Sequence, residues 1–148
     1  PLIEKIVDEA TAAICAEATG VMQVTNAMTL DYSRQRKQFG THIGSFQVLQ
    51  HRMADMLMEH EQSVSMTYLA TIKLDEDDAT RKKAVSSAKV RIGQSARFIG
   101  QSAIQTHGGM GMTDELAVGG YFKRLSIFEG EFGNVDHHLR RHMKLSAA

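Results

Sequence analysis

The sequence has little of what cross-links or anchors a protein. It contains one cysteine, Cys15, one proline and no tryptophan. A single cysteine excludes an internal disulfide and favours a reducing compartment over secretion. No apolar run approaches the roughly 20 residues of a membrane-spanning helix, and no signal peptide is recognisable. We therefore expect a soluble protein that is cytoplasmic or resides in the matrix of an organelle.

Neither sign of charge dominates the composition. Lysine and arginine together number 17, aspartate and glutamate also number 17, and the formal net charge is +0. A nucleic-acid-binding domain needs an excess of basic residues to displace the counterions of the phosphate backbone. The balance therefore argues against a nucleic-acid partner. The 148 residues suffice for one domain that buries roughly two-thirds of its unfolded surface.

Apolar residues recur at helical spacing over almost the whole sequence. The predicted helical segments are residues 2–36, 45–74, 79–107, 115–125 and 134–144. Long helices joined by short turns predict an all-α fold, an antiparallel four-helix bundle. The chain begins at Pro1 without methionine and has few loops for its length. We therefore expect residues 1–148 to be one helical domain, a fragment of a longer protein.

Local signals suggest where the helices begin, pack and end. Ser45 is the predicted N-cap of the second helix, and the acidic residues 75–78 suit the N-terminus of the third. Gly20 is a candidate for a close helix contact. Gly108 and Gly109 should stop the third helix in a left-handed or extended turn. The predicted inner face of the third helix includes Val85, Ala88, Val90 and Ile92.

The first candidate binding motif is Arg-Lys-Gln-Phe-Gly at residues 36–40. Arg36 carries a planar cation that suits bidentate contact with phosphate. Phe39 can stack on a heterocycle, and Gly40 permits a sharp turn. Alone, such a segment is more often an ordinary helix end than a binding site.

The second candidate motif is Gln-Thr-His-Gly-Gly-Met-Gly at residues 105–111. Two adjacent glycines after a helix remove Cβ atoms, so backbone N–H groups can approach an anion closely. No strand precedes the motif, which excludes the G-x-G-x-x-G dinucleotide fingerprint. A glycine C-cap without further function is the alternative interpretation.

Together the two motifs resemble the C-terminal helical domain of the acyl-CoA dehydrogenases, and the resemblance extends over about residues 5–143. Its most specific parts are R-x-Q-F-G followed by Phe-Gln, and Q-x-x-G-G-x-G at the expected distance. The resemblance implies FAD as the cofactor, with its adenosine diphosphate part reached from this chain while a neighbouring subunit binds most of it. The residues that it implies as cofactor contacts are Arg36, Gln38, Phe39, Phe46, Gln47, Gln105, Gly108 and Gly109.

The resemblance also implies the reaction and its partners. Members of the family dehydrogenate the α,β bond of an acyl-CoA and pass the electrons to an electron-transfer flavoprotein. The bundle normally lies at the core of a tetramer, which could here be homomeric or heteromeric. Two further domains of the family carry much of the flavin and thioester site. We therefore expect the isolated 148-residue chain to be inactive.

The catalytic base is harder to assign. The reaction needs a carboxylate whose pKa is raised in a dry pocket. Phe-Glu-Gly at residues 128–130 resembles the family's aromatic-Glu-Gly-Thr, which makes Glu129 the candidate base, although Glu131 replaces the threonine. Counting without gaps from the glycine motif instead places Phe132 at the base position.

Two other positions for the base stay open. Some family members carry it on the first helix, where the matching position is Ala10, with Asp8 and Glu9 nearby. The base could also be absent from this chain. The segments 111–125 and 132–141 resemble the small subunits of two-subunit bacterial acyl-CoA dehydrogenases, in which the other chain could supply it. A catalytically degenerate partner subunit and a non-enzymatic helical interaction module are therefore the alternative functions.

His138 and His142 lie four residues apart on one predicted helix face. Such a pair could bind zinc only with a third ligand from elsewhere. We interpret them as part of a polar helix face and predict no metal site.

Overall fold

The computed structural model describes residues 2–147, which form a bundle of helices. In chain order the elements are α1 (Leu2–Gln35), β1 (Lys37–Gln38), β2 (Thr41–His42), a 3₁₀ turn (Ile43–Ser45), α2 (Gln47–Ile72), α3 (Asp78–His107), a second 3₁₀ turn (Gly108–Met112), α4 (Val118–Gly130) and α5 (Val135–Ser146). The all-α prediction is confirmed, since the only sheet among the described residues is the two-stranded hairpin β1–β2. None of the helices in this part of the chain has the length and apolar character of a bilayer span.

Helix α3 is the centre of the bundle, because all four other helices pack against it. Small residues on its buried face allow close approach. A Cβ atom added at Gly93 would lie 2.8 Å from Val135 Cγ2 of α5, and one at Gly100 would lie 3.0 Å from Phe122 Cδ2 of α4. These two glycines therefore seat α4 and α5 on α3. Gly20, predicted to be a close contact, has no such neighbour within 4 Å in this chain.

The predicted helix ends are partly correct. Asp77 caps α3, since its Oδ1 accepts hydrogen bonds from the backbone N–H groups of Ala79 (3.0 Å) and Thr80 (3.1 Å). The prediction of Ser45 as the N-cap of α2 is wrong. The first 3₁₀ turn takes up Ser45, whose hydroxyl donates to the His42 carbonyl at 2.7 Å, and Phe46 stands at the cap position without a side-chain hydrogen bond.

The core contains a buried ion-pair cluster that joins three helices. Asp8 of α1 is fully buried. Its Oδ2 lies 3.1 Å from Arg81 Nε of α3, and its Oδ1 lies 2.7 Å from an Arg141 nitrogen of α5. Arg81 also pairs with Asp78, whose side chain is exposed. A buried carboxylate shared by two guanidinium groups has a structural role here, which accounts for the acidic residue near the alternative base position on α1.

Candidate functional site

The first motif folds into a tight β-hairpin. Lys37 pairs with His42, and Gln38 pairs with Thr41. The two residues between the strands, Phe39 (φ 55°) and Gly40 (φ 81°), both have positive φ, as a type I′ turn requires. For a residue with a side chain this backbone costs about 1–2 kcal/mol. Phe39 is 92% exposed, and its ring meets that of Phe46 edge-on at 6.2 Å between centroids, so burial in this chain does not offset that cost.

The second motif ends α3 and begins a 3₁₀ turn. Gly108 stands at the C-cap with φ 61° and ψ −141°, and its N–H donates to the carbonyls of Ile104 and Gln105. This backbone conformation lies close to a region that is essentially restricted to glycine. The predicted helix stop at Gly108 is therefore confirmed, with an extended rather than a left-handed helical geometry.

The three glycines of the second motif differ in the structural constraint that requires a glycine. Gly108 needs its positive φ. A Cβ on Gly111 would lie 3.0 Å from His107 Cβ and 3.1 Å from the Ile104 carbonyl oxygen, so packing requires a glycine there. Gly109 has neither constraint: a Cβ added to it meets no atom of this chain within 4 Å. The space beside Gly109 is therefore open to a group that does not belong to residues 2–147.

The two motifs meet at one cleft of about 500 Å³. All of the predicted cofactor contacts except Gln47 line it. Besides them, its walls are Tyr32, Ile43, Leu49, Arg52, Thr106, His107 and Met110. None of the lining residues is acidic, and Arg36 and Arg52 supply positive charge. The cleft therefore has the charge and the aromatic surface to hold an anionic ligand with a flat ring.

Tyr32 joins the two motifs. Its hydroxyl donates to the carbonyl oxygen of His107 at 3.3 Å, and its ring stacks on the imidazole with centroids 4.3 Å apart. The Tyr32 carbonyl accepts from the N–H of Arg36 at 2.9 Å. His107 Nδ1 lies 2.8 Å from the Ala103 carbonyl, which can only accept, so Nδ1 carries a hydrogen and donates it there.

Sequence reasoning missed Tyr32 and Arg52 as cleft residues. Tyr32 could have been found from its position one helical turn before Arg36. No local signal marks Arg52, because it reaches the cleft only through the packing of α2 against the ends of α1 and α3.

Glu129 lies outside this cleft. It occupies the last turn of α4, and its Oε1 lies 3.2 Å from an Arg97 nitrogen. It lines a separate groove with Gly93, Gln94, Arg97, Val135 and Asp136. Helix α4 extends through Phe-Glu-Gly to Gly130, so the predicted end of this helix at residue 125 is wrong. The role of Glu129 as the base stays a prediction.

Phe132 lies in the turn between α4 and α5, the segment 131–134. Phe132 (φ 53°) and Gly133 (φ 105°) repeat the Phe-Gly pair of positive φ values seen in the hairpin. Asn134 caps α5, its Oδ1 accepting from the His137 N–H at 2.9 Å. Phe132 is the residue at which the ungapped count places the base, and Gly133 and Asn134 follow it.

The histidines of α5 make structural contacts. His138 is buried, and its Nε2 donates to the Phe132 carbonyl at 3.0 Å. Burial lowers the pKa of His138 from 6.5 to about 4. His142 Nδ1 lies 3.1 Å from the Ser87 hydroxyl on α3. Among residues 2–147 no three His, Cys, Asp or Glu side chains are grouped so as to hold a metal ion.

The structure is an all-α domain with an acid-free cleft between two glycine turns. The family model "Acyl-CoA dehydrogenase, C-terminal domain" matches residues 2–144. The chain therefore belongs to the acyl-CoA dehydrogenase family, of which it represents the C-terminal domain.

Individual relatives agree with this assignment. Acyl-CoA dehydrogenase FadE34 of Mycobacterium tuberculosis is 32% identical over 146 residues, which is 98% of this chain and 20% of that protein. The mitochondrial short/branched chain specific acyl-CoA dehydrogenase of Bos taurus is 34% identical over 126 residues, 83% of this chain and 29% of the relative. The chain thus spans less than a third of either relative.

Solved structures share the fold over almost the whole chain. Butyryl-CoA dehydrogenase from Megasphaera elsdenii superposes with a TM-score of 0.88 at 25% identity, covering 96% of this chain and 37% of that one. A chain of the ChsE4–ChsE5 complex from Mycobacterium tuberculosis gives a TM-score of 0.90 at 26% identity, covering 95% and 38%.

Proposed function

We propose that this chain is the C-terminal domain of a longer FAD-dependent acyl-CoA dehydrogenase, and that its cleft contacts the adenosine diphosphate half of FAD. Bound FAD supplies the two-electron acceptor for α,β-dehydrogenation of an acyl-CoA thioester, and an electron-transfer flavoprotein is the proposed next acceptor. Family membership and relatives such as butyryl-CoA dehydrogenase support the reaction class.

The single observation that carries the cofactor proposal is the cleft itself. Pyrophosphate needs positive charge and N–H donors without competing carboxylates, and the lining supplies Arg36 and Arg52 with no acidic residue. The open space above Gly109 allows close approach to the backbone. Phe39 offers an uncovered ring on which adenine can stack. The residues present therefore fit this part of FAD.

Within this proposal each side chain has a distinct task. Arg36 holds the pyrophosphate, and Gln38 and Gln105 hydrogen-bond the polar edges of the cofactor. Phe39 and Phe46 flank the flat ring. Gln47, in the first turn of α2, contacts the cofactor from beside the cleft.

We further propose that the domain forms a tetramer through α2. Large apolar side chains on this helix are exposed in the single chain: Val48, Leu57, Met58, Tyr68 and Ile72. Large apolar side chains left exposed on one helix favour an interface with another chain. FAD bridging two subunits is consistent with a cleft that is open on one side.

The test compares two arginines at the same helix end in the full-length protein. Arg36→Met should weaken FAD binding by roughly 10- to 100-fold, because a charge-assisted hydrogen bond contributes about 1.5–3 kcal/mol. Arg34→Met is the matched control, since Arg34 is exposed and lies outside the cleft lining. FAD titration followed by flavin absorbance measures both. Equal affinities of Arg36→Met and wild type would refute the cofactor proposal.

One observation favours a second candidate, a degenerate partner subunit. The turn 131–134 presents Phe132 where the ungapped count expects the base, and one similar structure, ChsE4–ChsE5, is a complex of two proteins. Glu129→Gln decides between the two in the full-length protein. Loss of acyl-CoA-dependent dye reduction identifies Glu129 as the base. Activity only in the presence of a second chain, unaffected by Glu129→Gln, supports the partner-subunit function.

A further inference from the structure

A lysine is buried at the centre of the bundle. Lys89 of α3 is 1% exposed and lies among Val85, Ala88 and Ile92. The sequence pattern predicts Val90 on the inner face of α3. In the structure Val90 is only half-buried, and the neighbouring Lys89 is buried instead. An ammonium group is costly to bury, and an apolar side chain of similar size is usually as stable there. Its presence therefore calls for an explanation beyond packing.

Lys89 contacts the C-terminal end of α4. Lys89 Nζ donates to the carbonyl oxygens of Phe128 at 2.7 Å and Glu129 at 3.2 Å, and it lies 4.1 Å from the centroid of the Phe128 ring. Carbonyls in the last turn of a helix lack backbone partners and carry partial negative charge. Lys89 donates to two last-turn carbonyls of α4 from a different helix, and one of them, the Phe128 carbonyl, also accepts from the backbone N–H of Glu131 at 3.3 Å. Burial lowers the pKa of Lys89, while Cys15, Glu129 and Glu131 act in the opposite direction.

The turn that follows is fixed from several sides. Arg124 contacts Glu131 Oε2 at 2.9 Å while also holding Glu17 of α1. The Phe132 carbonyl accepts from His138. A Cβ on Gly133 would lie 2.6 Å from His137 Cδ2, and the φ of Gly133 is also positive, so the turn needs a glycine at this position. These contacts hold Phe132 in a left-handed conformation that side chains rarely adopt.

We propose that Lys89 is a positioning residue: by ending α4 at a fixed place, it sets the conformation of the turn 131–134 and the direction of the Glu129 and Phe132 side chains. This inference rests on the proposed function for its catalytic meaning, since either side chain is a candidate for the base position. The structural part of the proposal rests on the contacts of Lys89 with the α4 carbonyls and does not need the proposed function.

The experiment uses Lys89→Met in the full-length protein, with Lys123→Met as the control, an exposed lysine on α4. Amide hydrogen exchange should become at least tenfold faster in peptides spanning the turn and stay within twofold in α1 and α2. FAD content should not change. In steady-state kinetics kcat should fall at least tenfold, with KM for the acyl-CoA changing less than threefold. Lys89→Gln, which keeps an N–H donor, should restore part of both losses.

Several results would overturn the inference. Unchanged exchange in the turn would show that Lys89 does not position it. Equal acceleration of exchange in every helix would show that Lys89 has only a general structural role. Failure of both Lys89→Met and Lys89→Gln to fold would do the same. Faster exchange in the turn with unchanged kcat would show that the conformation of the turn does not affect the reaction. If the wild-type protein turns over no acyl-CoA, the proposed function fails, while the exchange pattern still decides whether Lys89 positions the turn.

Discussion

The three glycines of the second motif allow ligand binding to be separated from folding. Alanine at each position adds one methyl group within four residues of chain, but into three different surroundings. At Gly109 the methyl group enters open space in the cleft. At Gly111 it meets the backbone of α3, and at Gly108 it meets an unfavourable φ. Only the first substitution should act on a ligand without acting on the fold.

The expected magnitudes follow from these surroundings. Gly108→Ala should destabilise by about 1–3 kcal/mol, the usual cost of such a backbone outlier. Gly111→Ala should cost about 1–3 kcal/mol, because the Ile104 carbonyl at 3.1 Å belongs to a helix and yields little. Gly109→Ala should leave stability unchanged or raise it by up to about 1 kcal/mol through the unfolded state. It should nevertheless weaken FAD binding at least tenfold, or about 1.4 kcal/mol.

The assay is thermal unfolding of the flavin-free full-length protein together with FAD titration. Gly20→Ala in α1 is the matched control, because Gly20 is also free of neighbours within 4 Å but lies outside the cleft. It should gain about 1 kcal/mol of helix stability and bind FAD as the wild type does. The reasoning is refuted if Gly109→Ala binds FAD normally, or if Gly111→Ala is as stable as the wild type.

Two further predictions concern buried charge. In the unfolded chain His138 takes up a proton below pH 6.5, whereas in the folded protein it does so only near pH 4. Protonation of His138 should therefore lower the stability of the folded protein as the pH falls from 6.5 to 4, by no more than about 3 kcal/mol. Unfolding measured from pH 7 to 4 should show a shallower decline in His138→Gln, and parallel curves would contradict this. Asp8→Asn should destabilise by about 3–5 kcal/mol because it leaves Arg81 and Arg141 without their buried carboxylate. Asp78→Asn, which removes an exposed carboxylate shared by Arg81 and Lys82, should cost at most about 1 kcal/mol, and equal losses of thermal stability would exclude the buried cluster as the cause.

The long helices could be predicted from the sequence because their apolar periodicity extends over many turns. The predicted segment 79–107 differs from α3 by one residue at its start. The end of α4 was missed, since Glu129-Gly130 looks like a loop although the helix continues through it. The contact of Lys89 with the carbonyls at this end of α4 spans about 40 residues of chain, so no local sequence signal marks it.

The same division between local and distant contacts applies to the candidate site. Motif residues such as Arg36 and Gln105 could be selected from the sequence because each belongs to a short, specific pattern. Their convergence on one cleft could not, because it needs the contact of Tyr32 with His107 across the ends of α1 and α3. Gly109 is an example: the sequence does not distinguish it from Gly108 and Gly111, whereas the structure shows that neither backbone conformation nor packing requires a glycine there.

The two strained phenylalanines connect these observations. Phe39 and Phe132 are the only non-glycine residues with positive φ between residues 2 and 147, and each is followed by a glycine that also has positive φ. Neither conformation is explained by burial, since Phe39 is 92% and Phe132 is 47% exposed. The hairpin holds Phe39 by its own backbone, whereas side chains from α3, α4 and α5 hold Phe132. Because this chain does not offset the strain by burial, and contacts from other helices maintain it in the second turn, we expect both rings to make contacts outside the chain.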